Sequence, residues 1–79
     1  MLRDKTVILG GSFNPPHTGH QMSCLYHLEN LGAKEVWLMP VDSHPLGKSL
    51  LDFEYRMEMC RLLALPFHGN VLVSGAERE

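Results

Sequence analysis

Three short apolar runs alternate with two amphipathic segments along this chain, and this alternation constrains the fold more than any other feature. The runs cover residues 6–9, 35–39 and 71–74, and the amphipathic segments between them cover about 19–31 and 52–65. Strands that alternate with amphipathic helices form parallel sheets through right-handed crossover connections. The sequence therefore predicts the order β-α-β-α-β, in an α/β fold with a three-stranded parallel sheet.

The first run predicts a strand covered on both faces, because residues 6–9 show no polar alternation before Gly10 and Gly11 close the run. The second run ends before Pro40, and Trp37 at its middle is expected in the core. The turn at His68 leads into the third run.

Each amphipathic segment has its own boundary signals. In the first, the residues expected to face the sheet are Met22, Leu25, Leu28 and Leu31, with Tyr26 beside them. Thr18 is expected to cap this helix and Gly32 to end it. In the second, Asp52 is the expected cap, and the apolar stripe comprises Phe53, Met57, Cys60 and Ala64.

A three-stranded parallel sheet is half of a doubly wound, Rossmann-like domain. In such domains the ligand crevice lies at the carboxyl ends of the strands, where the strand order reverses, and here the reversal requires a further strand beside the first. We therefore expect residues 1–79 to be the amino-terminal part of one domain; a self-sufficient minidomain is the alternative. The open edge of the first strand is also expected to favour self-association.

The composition excludes several classes of protein. Seven basic and nine acidic residues give a formal charge of −2, whereas binding to a nucleic-acid polymer through its phosphates requires a basic face. No apolar run approaches the ~20 residues that span a bilayer. Cys24 and Cys60 form no close pair, which is typical of reduced thiols. These features predict a cytoplasmic protein without a nucleic-acid polymer or a membrane as partner.

The segment from Gly10 to His20, Gly-Gly-Ser-Phe-Asn-Pro-Pro-His-Thr-Gly-His, carries the richest chemistry. Glycines at the end of a strand let a ligand approach the backbone, and the free N–H groups of the next helix attract phosphate. His17 and His20 can share one helix face, and a nearby phosphate favours their protonated forms. This pattern predicts an anion site; the alternative is a proline-rich turn with exposed histidines. The spacing matches neither a dinucleotide fingerprint nor a P-loop.

Residues 11–20 resemble the signature of the nucleotidylyltransferase superfamily, which has the short motif His/Thr-x-Gly-His. Within that superfamily, Gly-Ser-Phe-Asn-Pro resembles the nicotinate- and nicotinamide-mononucleotide adenylyltransferases. The Met39–Pro40 end of the second run and the segment 54–57 resemble the same enzymes. The similarity extends over about residues 6–74 and corresponds to the front half of the family's domain.

The resemblance implies transfer of AMP from ATP to the phosphate of a pyridine mononucleotide, with release of pyrophosphate and no covalent enzyme intermediate. It implies that His17 and His20 contact the ATP phosphates, beside Gly11 and Gly19, and that His20 stabilises the charge of the transferring and leaving groups. Mg²⁺ is implied to arrive with ATP rather than to occupy a dedicated protein cage.

The resemblance also implies a mononucleotide site. Its expected members are Gly11, Ser12, Phe13 and Asn14, with Lys48 for the substrate phosphate and His44 assisting. A solvated loop lysine is the alternative for Lys48. Arg56 matches an arginine of the family, but it could equally pair with Asp52, four residues earlier.

The family's second phosphate-binding segment and its ring-contacting segment have no counterpart in this sequence. We therefore expect very weak activity or none from this chain alone, and the sequence does not distinguish nicotinate from nicotinamide. The alternatives are a non-catalytic nucleotide-binding module and another adenylyltransferase, such as the pantetheine-phosphate type. A metal site is a further alternative; its four donors would be His17, His20, Cys24 and His27, although Cys24 is expected in the core.

Overall fold

The computed structural model of this chain describes residues 2–43 and 49–78. In these ranges the strands and α-helices follow one another as β1 (Thr6–Gly11), α1 (Thr18–Leu25), β2 (Glu35–Pro40), α2 (Phe53–Ala64) and β3 (Val71–Val73). A π-helical turn, Tyr26–Asn30, continues α1, and 3₁₀ turns cover Leu65–Phe67 and Ala76–Arg78. The predicted order is confirmed. None of the helices in the described ranges is long and apolar enough to cross a membrane.

The three strands form one parallel sheet in the order β1-β2-β3. Gly11 lies opposite Pro40, and Val71 opposite Val36. This register brings the carboxyl ends of β1 and β2 to the same edge of the sheet, and β1 forms one side of the sheet. The predicted α/β, Rossmann-like arrangement is confirmed.

The strand ends differ slightly from the prediction. β1 continues through Gly10 and Gly11, and β2 includes Pro40. Pro40 is tolerated because it is the last residue of its strand, where a missing N–H interrupts little of the ladder. β3 ends at Val73, although the N–H of Ser74 still donates to the Leu38 carbonyl at 2.8 Å.

The core lies between the two helices and one face of the sheet. Its buried members are Phe13, Cys24, Val36, Leu38, Cys60, Leu63, Ala64 and Val71. The predicted stripe of α2 is buried, and Asp52 caps that helix by accepting the N–H of Glu54 at 3.1 Å. The two cysteines are free and buried, as predicted.

The face predicted for the first helix was wrong. Met22, Leu25 and Tyr26 are exposed, whereas Cys24 is fully buried and Leu28 packs against the core. Cys24 and Leu28 are four residues apart and define the buried line of the helix, so Met22 and Leu25 lie beyond its flanks. The predicted helix also changes to the wider π-helical turn after Leu25, which shifts the phase of any pattern read at 3.6 residues per turn.

The prediction that both faces of the first strand are covered was also wrong. Val7 and Leu9 pack against the core, but Ile8 is 58% exposed. Ile8, Trp37 and Leu72 form a row across the opposite face of the sheet. Trp37 is therefore half-buried rather than in the core, and its indole N–H donates to Glu35 Oε1 at 2.9 Å. The two helices pack on one face only, which leaves this row uncovered.

Candidate functional site

The segments that follow β1 and β2 and the segment that precedes α2 meet at the carboxyl edge of the sheet. The N–H of Val41 donates to the Gly11 carbonyl at 2.9 Å. The N–H of Leu51 donates to Asn14 Oδ1 at 2.8 Å. These two hydrogen bonds tie the glycine-rich junction after β1 to both neighbouring segments.

His17 and His20 form a reciprocal cap at the beginning of α1. His17 Nδ1 accepts the N–H of Gly19 at 3.1 Å, and His20 Nδ1 accepts the N–H of His17 at 2.9 Å. The two rings lie 4.0 Å apart between centroids. The capping residue is therefore His17, and the prediction from sequence that Thr18 caps this helix was wrong. His17 takes this position because its ring nitrogen can reach the second backbone N–H of the helix, as a serine or aspartate oxygen does.

The cap determines which ring nitrogen can donate to a ligand. A backbone N–H can donate only to an unprotonated nitrogen, so both Nδ1 atoms are acceptors and the proton of a neutral ring resides on Nε2. Burial lowers the pKa of His20, and a proton on the neighbouring His17 ring would lower it further. The cap and the burial thus favour the neutral form of His20, and its protonation beside a bound phosphate stays a prediction.

Gly19 makes room for the His17 ring. A Cβ atom built at Gly19 would lie 2.8 Å from His17 Cε1 and 2.9 Å from Nδ1. Because that ring is held by the N–H of Gly19 itself, a side chain here would displace the cap. The structural requirement for glycine thus comes from a neighbouring side chain.

Phe13 supports the histidine pair from inside the protein. The whole residue is 3% exposed, and its ring centroid lies 4.6 Å from that of His20. Its backbone has a positive φ of 48°. The ring therefore belongs to the core.

The atoms around the two glycines at the end of β1 leave room for a small side chain at both positions. A Cβ at Gly10 would meet nothing within 4 Å, and one at Gly11 would make an ordinary contact of 3.5 Å with the Phe13 ring. The described residues thus leave open space beside Gly10 and tolerate a methyl group at Gly11.

Of the two alternatives for Arg56, the structure contradicts the pair with Asp52. Arg56 is 1% exposed and makes no pair with Asp52, whose carboxylate caps α2 instead. Its hydrogen bonds go to four carbonyl oxygens: Nε to Leu51 at 2.7 Å, Nη1 to Ser12 at 2.9 Å and Val41 at 2.7 Å, and Nη2 to Asp42 at 3.2 Å. The signal in the sequence was its position between Phe53 and Met57 on the buried stripe of α2, where an exposed arginine is not expected.

Arg78 has a structural role that the sequence does not indicate. Its Nε donates to Asp42 Oδ1 at 2.9 Å, and its guanidinium lies 4.3 Å from the Phe53 ring centroid. The ion pair joins the segment after β2 to the 3₁₀ turn after β3, across residues 36 apart in sequence. No local pattern in the sequence could have revealed this pairing.

Two expected site residues, His44 and Lys48, lie outside the described residues. Of the others, His17 and His20 are together, Gly19 contacts His17, and Gly11, Ser12, Phe13 and Asn14 form the adjoining loop.

The donors proposed for a metal site do not converge. No group of three or more His, Cys, Asp or Glu side chains within residues 2–43 and 49–78 could hold a metal ion. Cys24 packs in the core, and burial raises the pKa of its thiol. Burial also raises the pKa of Cys60 to about 11. Both thiols are therefore protonated at neutral pH and poorly suited to bind a metal.

Comparison with known proteins shows to which family the chain belongs. The model of the cytidylyltransferase-like family matches residues 8–74. The chain therefore belongs to the cytidylyltransferase-like family, which confirms the resemblance inferred from the glycine- and histidine-rich segment.

Curated relatives share substantial identity with the chain. It is 54% identical over 73 residues to a protein of Anaeromyxobacter sp. (strain K) named probable nicotinate-nucleotide adenylyltransferase, a match covering 92% of this chain and 38% of that protein. A protein of Myxococcus xanthus with the same name is 44% identical over 75 residues, or 95% of this chain and 40% of that protein. The chain thus spans about two fifths of the length of these relatives.

A solved structure shows the same fold. The Plasmodium falciparum nicotinic acid mononucleotide adenylyltransferase, complexed with NaAD, superposes with a TM-score of 0.75. The match has 21% sequence identity and covers 91% of this chain and 37% of that one.

Proposed function

We propose that this chain is the amino-terminal part of a nicotinate-nucleotide adenylyltransferase domain, which transfers AMP from ATP to nicotinate mononucleotide in NAD synthesis. The observation that carries the proposal is the reciprocal cap of His17 and His20, because it presents two ring donors side by side at the beginning of a helix. The names of the relatives supply the substrate class.

In the proposed reaction, an oxygen of the mononucleotide phosphate attacks the α-phosphorus of ATP. The bond from that phosphorus to the bridging oxygen breaks, and the electron pair leaves with pyrophosphate. His17 and His20 donate from Nε2 to the phosphate oxygens of ATP, and His20 stabilises the charge that develops on the transferring and leaving groups. Catalysis then consists of positioning and charge stabilisation rather than covalent chemistry.

The mononucleotide is proposed to bind beside Gly11, Ser12, Phe13 and Asn14. The fold itself tolerates a methyl group at Gly11, so Gly11→Ala can test this assignment without disturbing the protein. We assign Lys48 to the substrate phosphate, with His44 assisting, because a flexible ammonium is a suitable point charge for it.

Mg²⁺ is proposed to enter with ATP. The described residues offer no cluster of three carboxylate, imidazole or thiolate donors. Mg²⁺ usually keeps several waters and binds substrate phosphates, so it needs few protein ligands.

Residues 1–79 are proposed to form the front part of a single domain. The remaining part, which the relatives carry, would supply the adenine side of the ATP pocket and the contact to the pyridine ring. The open edge of β1 would then pair with that part, or with a second copy when it is absent. This chain alone is expected to turn over very slowly or not at all.

The proposed function is tested by completing the domain. This chain would be joined to the carboxyl-terminal segment of the Anaeromyxobacter relative, and the product is called the completed enzyme below. With Mg²⁺, ATP and nicotinate mononucleotide, it should release pyrophosphate and form the dinucleotide, and parallel assays with nicotinamide mononucleotide would define the ring preference.

The matched control is the completed enzyme with His20→Ala, which should be nearly inactive. Nucleotide binding without pyrophosphate release from a folded completed enzyme would instead favour a non-catalytic binding module.

A further inference from the structure

Arg56 is a buried cation that the described carboxylates do not neutralise. The ion pairs within residues 2–43 and 49–78 are Arg61–Glu58 and Arg78–Asp42. A buried charge is costly unless its hydrogen-bonding groups are satisfied. The position of Arg56 therefore depends on the carbonyl oxygens that surround it.

Those carbonyls belong to three segments far apart in sequence. Ser12 follows β1, Val41 and Asp42 follow β2, and Leu51 precedes α2. A guanidinium donates along fixed directions in one plane, so it sets the positions of its acceptors relative to one another. A lysine ammonium has three donors and no plane, and it cannot reproduce this arrangement.

The hydrogen bond to Ser12 also orients a possible ligand donor. The peptide bond between Ser12 and Phe13 is trans, so its N–H points away from the oxygen that Arg56 holds. That N–H finds no acceptor among the described residues. The charge of Arg56 polarises the same peptide group and makes its N–H a stronger donor.

We propose that Arg56 is the positioning residue of this site: its buried guanidinium holds the loop after β1 against the segment after β2, and thereby aims the N–H of Phe13 and the histidine pair at a phosphate ligand. Arg56 itself does not contact the ligand. The identity of that ligand as ATP rests on the proposed function.

The first test uses the unsubstituted chain. The Nη protons of Arg56 should give separate, slowly exchanging NMR signals, because four hydrogen bonds to carbonyl oxygens restrict rotation of the guanidinium. A single averaged signal like that of the exposed Arg61 would overturn the proposal.

The second test compares three variants. Arg56→Lys keeps the charge without the planar fork, Arg56→Met removes both, and Arg61→Met is the control on an exposed part of the same helix. In the completed enzyme, we expect both Arg56 variants to weaken Mg·ATP binding by at least about tenfold, as misplacement of binding groups does. The Arg61 variant should bind within about twofold of the unsubstituted completed enzyme.

A readout specific to positioning is the amide resonance of Phe13. In Arg56→Lys it should shift and lose its response to Mg·ATP, while the amides of β3 stay unchanged. Unchanged Phe13 resonances together with unchanged affinity would overturn the proposal. A completed enzyme that bound no Mg·ATP would contradict the proposed function, whereas the positioning role of Arg56 would still be decided by the guanidinium signals and the Phe13 resonance.

Discussion

His20 caps the backbone of His17, whose N–H donates to His20 Nδ1 at 2.9 Å. The ring of His17 in turn accepts the N–H of Gly19 at its Nδ1 atom. Each imidazole therefore uses one nitrogen to build the helix start and leaves the other for a ligand. This division of the two nitrogens makes the site testable, because the structural and the chemical role of each ring can be removed separately.

The ring of His20 should be the neutral Nε2–H tautomer at neutral pH. Its pKa should lie below the usual 6.5, because burial disfavours the protonated form, as would any positive charge on His17. Long-range ¹⁵N–¹H NMR spectra of the imidazoles distinguish the two tautomers from the cation. An imidazolium signal for His20 at neutral pH would contradict this assignment.

Stability should fall as the solution is acidified through the titration of His20. Folding lowers the pKa of this ring below 6.5, so the unfolded chain binds more protons in the window between the two pKa values. The contribution of His20 to the free energy of unfolding is fully present above pH 6.5 and is lost as the pH falls towards the pKa of His20 in the folded state. Urea unfolding of the chain and of His20→Asn across this window should show a smaller decline in the variant; equal declines would assign the effect to other groups.

Asparagine at either histidine should separate capping from catalysis. Its Oδ1 can replace Nδ1 as the backbone acceptor, but it offers nothing at the position of Nε2. His17→Asn and His20→Asn should retain the free energy of unfolding within about 0.5 kcal/mol, whereas alanine should cost about 1 kcal/mol through loss of the cap. In the completed enzyme, each asparagine variant should lower kcat by roughly 10²-fold or more. An unchanged kcat would contradict the proposed contact of that histidine with the ATP phosphates.

Gly19→Ala should damage the site without unfolding the protein. The new Cβ would stand 2.8 Å from the His17 ring and expel it from the cap. Loss of the cap costs about 1 kcal/mol, and the gain in helix propensity from glycine to alanine is of similar size. The free energy of unfolding should therefore change little, while the Mg·ATP affinity of the completed enzyme, measured by calorimetry, falls at least about tenfold.

Gly11→Ala tests whether a ligand approaches the end of β1. The added methyl group would make only an ordinary 3.5 Å contact with Phe13, so stability should hold. In the completed enzyme the KM for the mononucleotide should rise about tenfold or more if the ligand packs on this backbone. An unchanged KM would place the mononucleotide elsewhere.

Lys48→Ala should act mainly on the second substrate. Loss of a charge-assisted contact to its phosphate should raise the mononucleotide KM of the completed enzyme about tenfold and leave the ATP KM nearly unchanged. Lys34→Ala, at an exposed position before β2, is the control. A change confined to the ATP KM would contradict the assignment.

Much of this protein follows from local sequence. The apolar runs and the stripe of α2 predict the order of elements and the parallel sheet, because periodicity distinguishes strands from helices. The segment from Gly10 to His20 indicates the candidate site from local sequence as well: its two prolines exclude regular structure between the strand and the helix, and its glycines and histidines concentrate donors at one strand end.

What only the tertiary structure decided depends on residues distant in sequence. Arg56 is buried because Ser12, 44 positions away, and the segment after β2 supply its acceptors. The first helix buries Cys24 rather than Met22, and β1 leaves Ile8 exposed, because both helices pack on the same face of the sheet. Periodicity shows that an element has an apolar side, but the packing of the other elements determines which side is covered.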